Sequence, residues 1–195
     1  MIIAAADGSA IGNPGPSGWA WYVDDTCWAS GGWPHGTNNM GELMAVLDLL
    51  QQTAHLDDEL HVFCDSTYVI NAITKWMAGW KRKGWKTGSG TPVKNVELMK
   101  ALDEAMQGRR VKFEWVKGHA GHALNEAADV RANAAAAAYR DGRVADRARA
   151  SSAAAPPTRR PPSVRSTRSL TCSATSTTPL SSVTRSRSSP SSVRC

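Results

Sequence analysis

Ile2-Ile3-Ala4-Ala5-Ala6-Asp7-Gly8-Ser9 is the stretch from which the rest of the chain is read. A short apolar run ends in one aspartate, and a Gly/Pro-rich turn, Gly12-Asn13-Pro14-Gly15-Pro16, follows at once. This is the pattern of a buried strand carrying a carboxylate at its C-terminal end. Taken alone, Asp7 reads more readily as a turn residue or helix cap, because Asp is a common turn former. Three further acids change the balance. Glu42 lies in a helical pattern, Asp65 follows a second apolar run (residues 60–64), and Asp129 lies in an alanine-rich helix. A fold that brings these four together creates a cluster of hard oxygen ligands suited to Mg²⁺ or Mn²⁺.

Outward from that stretch, residues 17–24 have strand character, and residues 27–33 can pair back with them across Asp24-Asp25-Thr26. With the opening strand they form an antiparallel meander. Leu43, Val46, Leu47 and Leu50 then fall at i, i+3, i+4 and i+7, one apolar helical face, with Thr37, Asn38 and Asn39 as possible caps before it. Glu42 sits early in this helix, where an acid also suits the positive end of the helix dipole. Residues 60–64 form the next strand, and Asp65-Ser66-Thr67 can cap the helix that follows. Strand, helix and strand alternate as in a βαβ unit with parallel strands. Sites in such sheets form at the carboxyl ends of strands, where Asp7 and Asp65 both lie.

Residues 76–86 have the most unusual local composition, with Trp76, Trp80 and Trp85 interleaved with Lys81, Arg82, Lys83 and Lys86. One reading is an amphipathic helix that packs its tryptophans and leaves its cations in water. The other is a nucleic-acid contact, with cations on phosphates and an aromatic ring against sugar or base. Gly88-Ser89-Gly90-Thr91-Pro92 breaks the chain. Residues 96–106 read as a helix, and residues 111–116 as a strand of period two. Lys117-Gly118-His119-Ala120-Gly121-His122 is a loop with two histidines, and helical character resumes at Asn125 and runs through Asp129 to Tyr139.

The net charge of +6 over 195 residues misleads. Residues 151–195 hold seven arginines and no acid, so residues 1–150 carry 16 basic against 17 acidic groups. An argument for nucleic-acid binding therefore rests on local clustering, not on the overall balance. From about residue 145 the composition collapses into Ser, Arg, Pro, Thr and Ala, which cannot bury enough apolar surface to offset ordering entropy. A native RNA-binding tail and a read-through or frame artefact both fit that composition. Cys27, Cys64, Cys172 and Cys195 show no metal-ligand spacing and read as free thiols. No stretch approaches a membrane span and the start lacks a signal pattern, so a cytoplasmic protein is expected.

Together, Asp7-Gly8-Ser9 with the following turn, Thr37-Asn38-Asn39-Met40-Gly41-Glu42-Leu43, Asp65-Ser66-Thr67-Tyr68-Val69, Gly84-Trp85-Lys86-Thr87 with Pro92-Val93-Lys94-Asn95, Trp115-Val116-Lys117-Gly118-His119 and Asn125-Glu126-Ala127-Ala128-Asp129 resemble the type 1 ribonuclease H family. Six motifs stand in register from residue 1 to about 142. The resemblance implies an α/β ribonuclease H-like fold, a five-stranded mixed sheet of order 3-2-1-4-5 flanked by helices. It implies a catalytic domain over residues 1–142 followed by a disordered Ser/Arg/Pro-rich tail over 143–195. The implied activity is endonucleolytic hydrolysis of the RNA strand of RNA–DNA hybrids by a monomer, leaving 5′-phosphate and 3′-hydroxyl ends.

By the same resemblance, Asp7, Glu42, Asp65 and Asp129 hold two Mg²⁺ ions, with Mn²⁺ able to substitute. Asp7 bridges the ions, and His119 helps with proton handling or product release. Trp76, Trp80, Lys81, Arg82, Lys83 and Lys86 belong to a basic protrusion that grips the hybrid. Asn13, Asn38 and Asn39 fall where the family touches the hybrid backbone, and Thr37 where it holds a DNA phosphate. This chain departs from some members at Thr67, where they have Gln, and at Met40-Gly41, where they have a bulkier and more basic pair. Two rivals share the fold: another polynucleotidyl transferase, such as an integrase, and a non-catalytic hybrid-binding module. The protrusion with the histidine loop speaks against the first, and the four retained acids speak against the second.

Overall fold

The computed structural model describes residues 1–143 and the strand Ser192–Arg194. The sheet contains the expected five strands in the order 3-2-1-4-5, built from β1 (Ile2–Ala10), β2 (Gly15–Asp24), β3 (Cys27–Gly36), β4 (Leu60–Cys64) and β5 (Val111–Trp115). β1, β2 and β3 form the antiparallel meander, and β4 and β5 extend it in parallel from the other edge of β1. A short sixth strand, β6 (Ser192–Arg194), pairs antiparallel with β3. The sequence pattern assigns no structure to these three residues, since the segment has no apolar periodicity. For the other positions after 143, the expectation of a disordered tail lies outside the described residues.

Five α-helices complete the described fold: α1 (Asn38–Gln52), α2 (Thr67–Asn71), α3 (Met77–Arg82), α4 (Val96–Met106) and α5 (Ala123–Arg140). A π-helical turn, Ala72–Trp76, joins α2 to α3. Side chains alternate across β1. Ala4 and Ala6 join the main core with Leu43, Val46, Leu47 and Leu50 of α1, Met99 and Leu102 of α4, and Val62 and Cys64 of β4. Within that core Trp21 Nε1 donates to buried Asp48 Oδ2 at 2.7 Å, tying β2 to α1. The other face is thin and is covered by α5 through Ala128, Ala132, Ala135 and Ala136. A Cβ on Gly18 of β2 would stand 2.2 Å from the Ala132 carbonyl oxygen. The alanine-rich composition of α5 follows from that approach, since larger side chains would lift the helix from the sheet.

The same close packing occurs on the α1 side. A Cβ on Gly8 would lie 2.3 Å from the Glu42 backbone nitrogen and 2.6 Å from the Gly41 carbonyl carbon. A Cβ on Gly41 would in turn lie 3.0 Å from Gly8 Cα and 2.6 Å from the Gly18 carbonyl oxygen. Two glycines thus let the start of α1 lie directly on β1. Among the cysteines, Cys64 is a buried free thiol, whereas Cys27 is disulfide-bonded, which corrects the expectation of a free thiol there. Among the described residues no helix is long and apolar enough to cross a membrane.

Gly8→Ala is expected to force α1 outward, because the clash is with backbone that cannot rotate away. Overpacking of this kind costs about 1–3 kcal/mol. Urea denaturation checks it: an unchanged midpoint would show that the backbone contact is not tight.

Candidate active site

Each acid arrives on a different element. Asp7 lies on β1 and is 5% exposed. Thr37 caps α1 by accepting from the Met40 N–H at 3.2 Å, which sets Glu42 in the early helix, 8% exposed. Asp65 follows β4 directly, and Ser66 caps α2 by accepting from the Val69 N–H at 3.4 Å. β1 and β4 are parallel neighbours, so Asp7 and Asp65 leave the same end of the sheet. One carboxylate oxygen from each of Asp7, Glu42 and Asp65 lies within 4.8 Å of the other two. Asp129, on α5, stands outside that tight group, with Oδ2 3.7 Å from His119 Nδ1. His119 is 79% exposed and has a left-handed backbone, φ 52°.

The cluster is electrostatically uncomfortable. Burial first, then the charge of Asp65, with smaller pushes from Asp129 and Glu42, raises the Asp7 carboxyl to about 8. The Gly8 N–H, donating to Asp7 Oδ1 at 2.7 Å, works the other way. Glu42 is also pushed up, chiefly by burial, against hydrogen bonds from Ser66 and Asn38. Burial beside the same acids keeps the Cys64 thiol protonated. Glu42 Oε2 is buried with no hydrogen-bond partner. Three converging carboxylates with an orphaned buried oxygen fit a divalent cation, and an all-oxygen donor set favours Mg²⁺ or Mn²⁺ over softer metals.

Several residues have structural work that motif reading did not assign. Asn38 Nδ2 donates to Glu42 Oε1 at 2.7 Å, while the Asn38 N–H donates to Asn13 Oδ1 at 3.4 Å. Asn13 and Asn38, expected as hybrid contacts, therefore also steady Glu42. The i, i+4 spacing of Asn38 and Glu42 is the signal that could have shown this. Trp115 Nε1 donates to the Asp65 carbonyl oxygen at 3.0 Å and holds the end of β4. Gly118 packs against the Asp65 carboxylate so closely that a Cβ there would lie 2.5 Å from Oδ2. His122, given no role by the motifs, caps α5 through Nδ1, which accepts from the Asn125 N–H at 3.4 Å.

The basic segment lies on α3 and the turn after it, not on the elements that carry the acids. Trp76 is 42% exposed, and its ring lies 6.1 Å from that of Tyr68 and 5.8 Å from that of Trp80. Trp80 and Trp85 pack against the core. Lys81 pairs with Asp103 at 2.6 Å. Arg82, Lys83 and Lys86 are exposed and make no ion pair among the described residues. Asn39, in the first turn of α1, is exposed.

The family model described as RNase H matches residues 1–137. Ribonuclease H of Tropheryma whipplei (strain Twist) is 52% identical over 135 residues, which are 69% of this chain and 84% of that protein. Among solved structures, LC9-RNase H1, a type 1 RNase H with the type 2 active-site motif, has a TM-score of 0.61 at 29% identity, covering 71% of this chain and 74% of that one. The N-terminal RNase H domain of Rv2228c from Mycobacterium tuberculosis, solved as a fusion with maltose-binding protein, has a TM-score of 0.54 at 25% identity, covering 73% and 99%.

The raised Asp7 carboxyl makes stability depend on pH. Its folded value of about 8 stands above the ordinary 3.8 of the unfolded chain. The native state therefore holds a proton that the unfolded state has released, and stability in chelator falls as pH rises from about 4 to about 8. One shifted group contributes at most about 1.4 kcal/mol per pH unit in that window. Asp65→Asn removes the largest neighbouring charge, so the variant should melt higher than wild type in chelator near pH 7, and the pH slope should flatten. Divalent metal binds only the folded state and should narrow the gap. Thermal melts from pH 5 to 8, with chelator and with Mg²⁺, check this; a variant melting lower in chelator would show that Asp65 does not burden Asp7.

Proposed function

The chain belongs to the ribonuclease H family, and from that premise we propose that it is an endonuclease hydrolysing the RNA strand of RNA–DNA hybrids, leaving 5′-phosphate and 3′-hydroxyl ends. The observation that carries the reading is the convergence of Asp7, Glu42 and Asp65 within 4.8 Å at one end of the sheet, with Asp129 beside them. These four acids would hold two Mg²⁺ ions, with Mn²⁺ able to substitute. Two such ions stabilise the charge that develops on the entering and leaving oxygens of an in-line displacement at phosphorus. Asn38 orients Glu42, and the Gly8 N–H orients Asp7. His119, whose Nδ1 lies 3.7 Å from Asp129 Oδ2, would help with proton handling or product release.

Hybrid recognition is assigned to two groups of residues, one on the basic segment and one beside Glu42. Arg82, Lys83 and Lys86, with Lys81 after it leaves Asp103, neutralise phosphates of the DNA strand, and the exposed face of Trp76 with Trp80 lies against its sugars. Asn13, Asn38, Asn39 and Thr37 border the site at the start of α1 and contact the hybrid backbone. A-form-like geometry and the 2′-hydroxyl mark the RNA strand. The catalytic unit is residues 1–142, a reading supported by the match ending at 137 and by α5 ending at Arg140. It acts as a cytoplasmic monomer.

With Mg²⁺ and labelled substrates, cleavage should be confined to the RNA strand of the hybrid, sparing duplex DNA and duplex RNA. Residues 1–142 alone should cut as the full chain does, and Asp65→Asn should abolish cutting. Cleavage of duplex DNA would favour another polynucleotidyl transferase. Binding without cleavage would favour a non-catalytic module.

Neutralising Lys81, Arg82, Lys83 and Lys86 together should weaken hybrid binding and flatten its salt dependence, with much less effect on the rate at saturation. The slope of log affinity against log salt falls by about 0.9 per lost phosphate contact on a duplex. An unchanged slope would return these cations to a solvated surface.

A further inference from the structure

Asn133 lies one helical turn after Asp129 on α5, so the two side chains share a face. Asn133 Nδ2 donates to Asp129 Oδ1 at 2.8 Å. Asn133 Oδ1 accepts from the Ser9 hydroxyl. Ser9 follows Asp7 by two residues on β1, so both side chains leave the strand on the same face. The direction of this chain is set by chemistry. An ionised carboxylate only accepts, so the amide nitrogen must face Asp129, the amide oxygen faces Ser9, and Ser9 donates. One oxygen of Asp129 is thereby pinned, and the other, Oδ2, is left towards His119 at 3.7 Å.

We propose that Asn133 is a positioning residue, anchored on β1 by Ser9, that fixes the Asp129 carboxylate beside the other three acids with Oδ2 available to the site. The proposal rests on the reading of Asp129 as an ion-holding carboxylate. It explains why the alanine-rich second half of α5 carries an amide at this position. Asn133 is exposed and fills no space in the core. Asn is also a poorer helix former than Ala. Its removal therefore costs the fold little, and a merely structural role predicts no loss of rate.

The test uses the full chain with Asn133→Ala, Ser9→Ala and the double variant, reading kcat and KM on a hybrid, Mn²⁺ affinity by calorimetry, and thermal melting. Losing an outer partner of a metal-holding group typically lowers affinity or activity about 10- to 100-fold. The expectation is a fall of that order in kcat or Mn²⁺ affinity for Asn133→Ala, with KM unchanged and Tm equal or higher. Ser9→Ala should move the same quantity in the same direction. The double variant should be no worse than Asn133→Ala, because both act through one chain of bonds. Retention of both kcat and Mn²⁺ affinity overturns the proposal. So does a rise in KM alone, the mark of a direct hybrid contact, or a loss matched by a fall in the folded fraction. Should the wild type not cut the hybrid, the functional reading fails, and Mn²⁺ affinity alone decides the role of Asn133.

Discussion

The structure depends on the backbone contact between Gly8 of β1 and Gly41 of α1. No side chain fits between them, since a Cβ on either would enter the backbone of the other element or of β2. With that contact in place, Glu42, the next residue, reaches the carboxyl end of β1 and faces Asp7. The parallel pairing of β1 with β4 then brings in Asp65. Three acids distant in sequence are thus brought together by backbone packing, not by attraction among themselves. Attraction could not do it, because like charges in a partly buried site repel.

The result is a site held against its own electrostatics. The main core, with Leu43, Val46, Leu50, Val62, Met99 and Leu102 all buried, supplies the opposing stability. Burial of such side chains is worth roughly 1.5–3 kcal/mol each before entropy is counted. Neutral donors reduce the strain without cancelling the charge: the Gly8 N–H on Asp7, Asn38 on Glu42 and Asn133 on Asp129. A lysine in any of these places would form an ion pair and compete with a metal for the carboxylate. An amide or backbone N–H fixes orientation and leaves the negative charge available to a cation, as a metal site requires.

Much of this was legible in the sequence. Residues 60–64 and 96–106 read as elements with the same bounds as β4 and α4, and Leu43, Val46, Leu47 and Leu50 are all buried as their spacing implies. Asp7 is not strand-terminal as its sequence suggested, since β1 runs on to Ala10, but the parallel register of β1 with β4 still sets it level with Asp65. The tight grouping of three acids with Asp129 to one side was not legible, since it depends on where α5 lies across β2. That position is set by Gly18 against Ala132, a contact between residues over a hundred positions apart. The bond from Asn38 to Glu42 and the capping of α5 by His122 were not legible, because motifs do not show which neighbouring group a polar side chain meets. β6 left no trace because edge pairing needs only backbone groups, which every residue has.

The near neutrality of residues 1–150, with 16 basic and 17 acidic groups, has a spatial meaning. Arg82 ends α3 and Lys83 and Lys86 follow it, whereas Asp7, Glu42 and Asp65 come together at one end of the sheet with Asp129 to one side. Evenly mixed charges would cancel within a Debye length, about 10 Å at ordinary salt. Charges gathered on separate elements would instead leave local fields of opposite sign. By charge alone, a polyanion would be attracted at the basic segment and repelled at the acids. A divalent cation held by Asp7, Glu42 and Asp65 would supply the positive charge that offsets that repulsion. Salt would screen the exposed cations far more than the partly buried acids, so the two fields would respond differently to ionic strength.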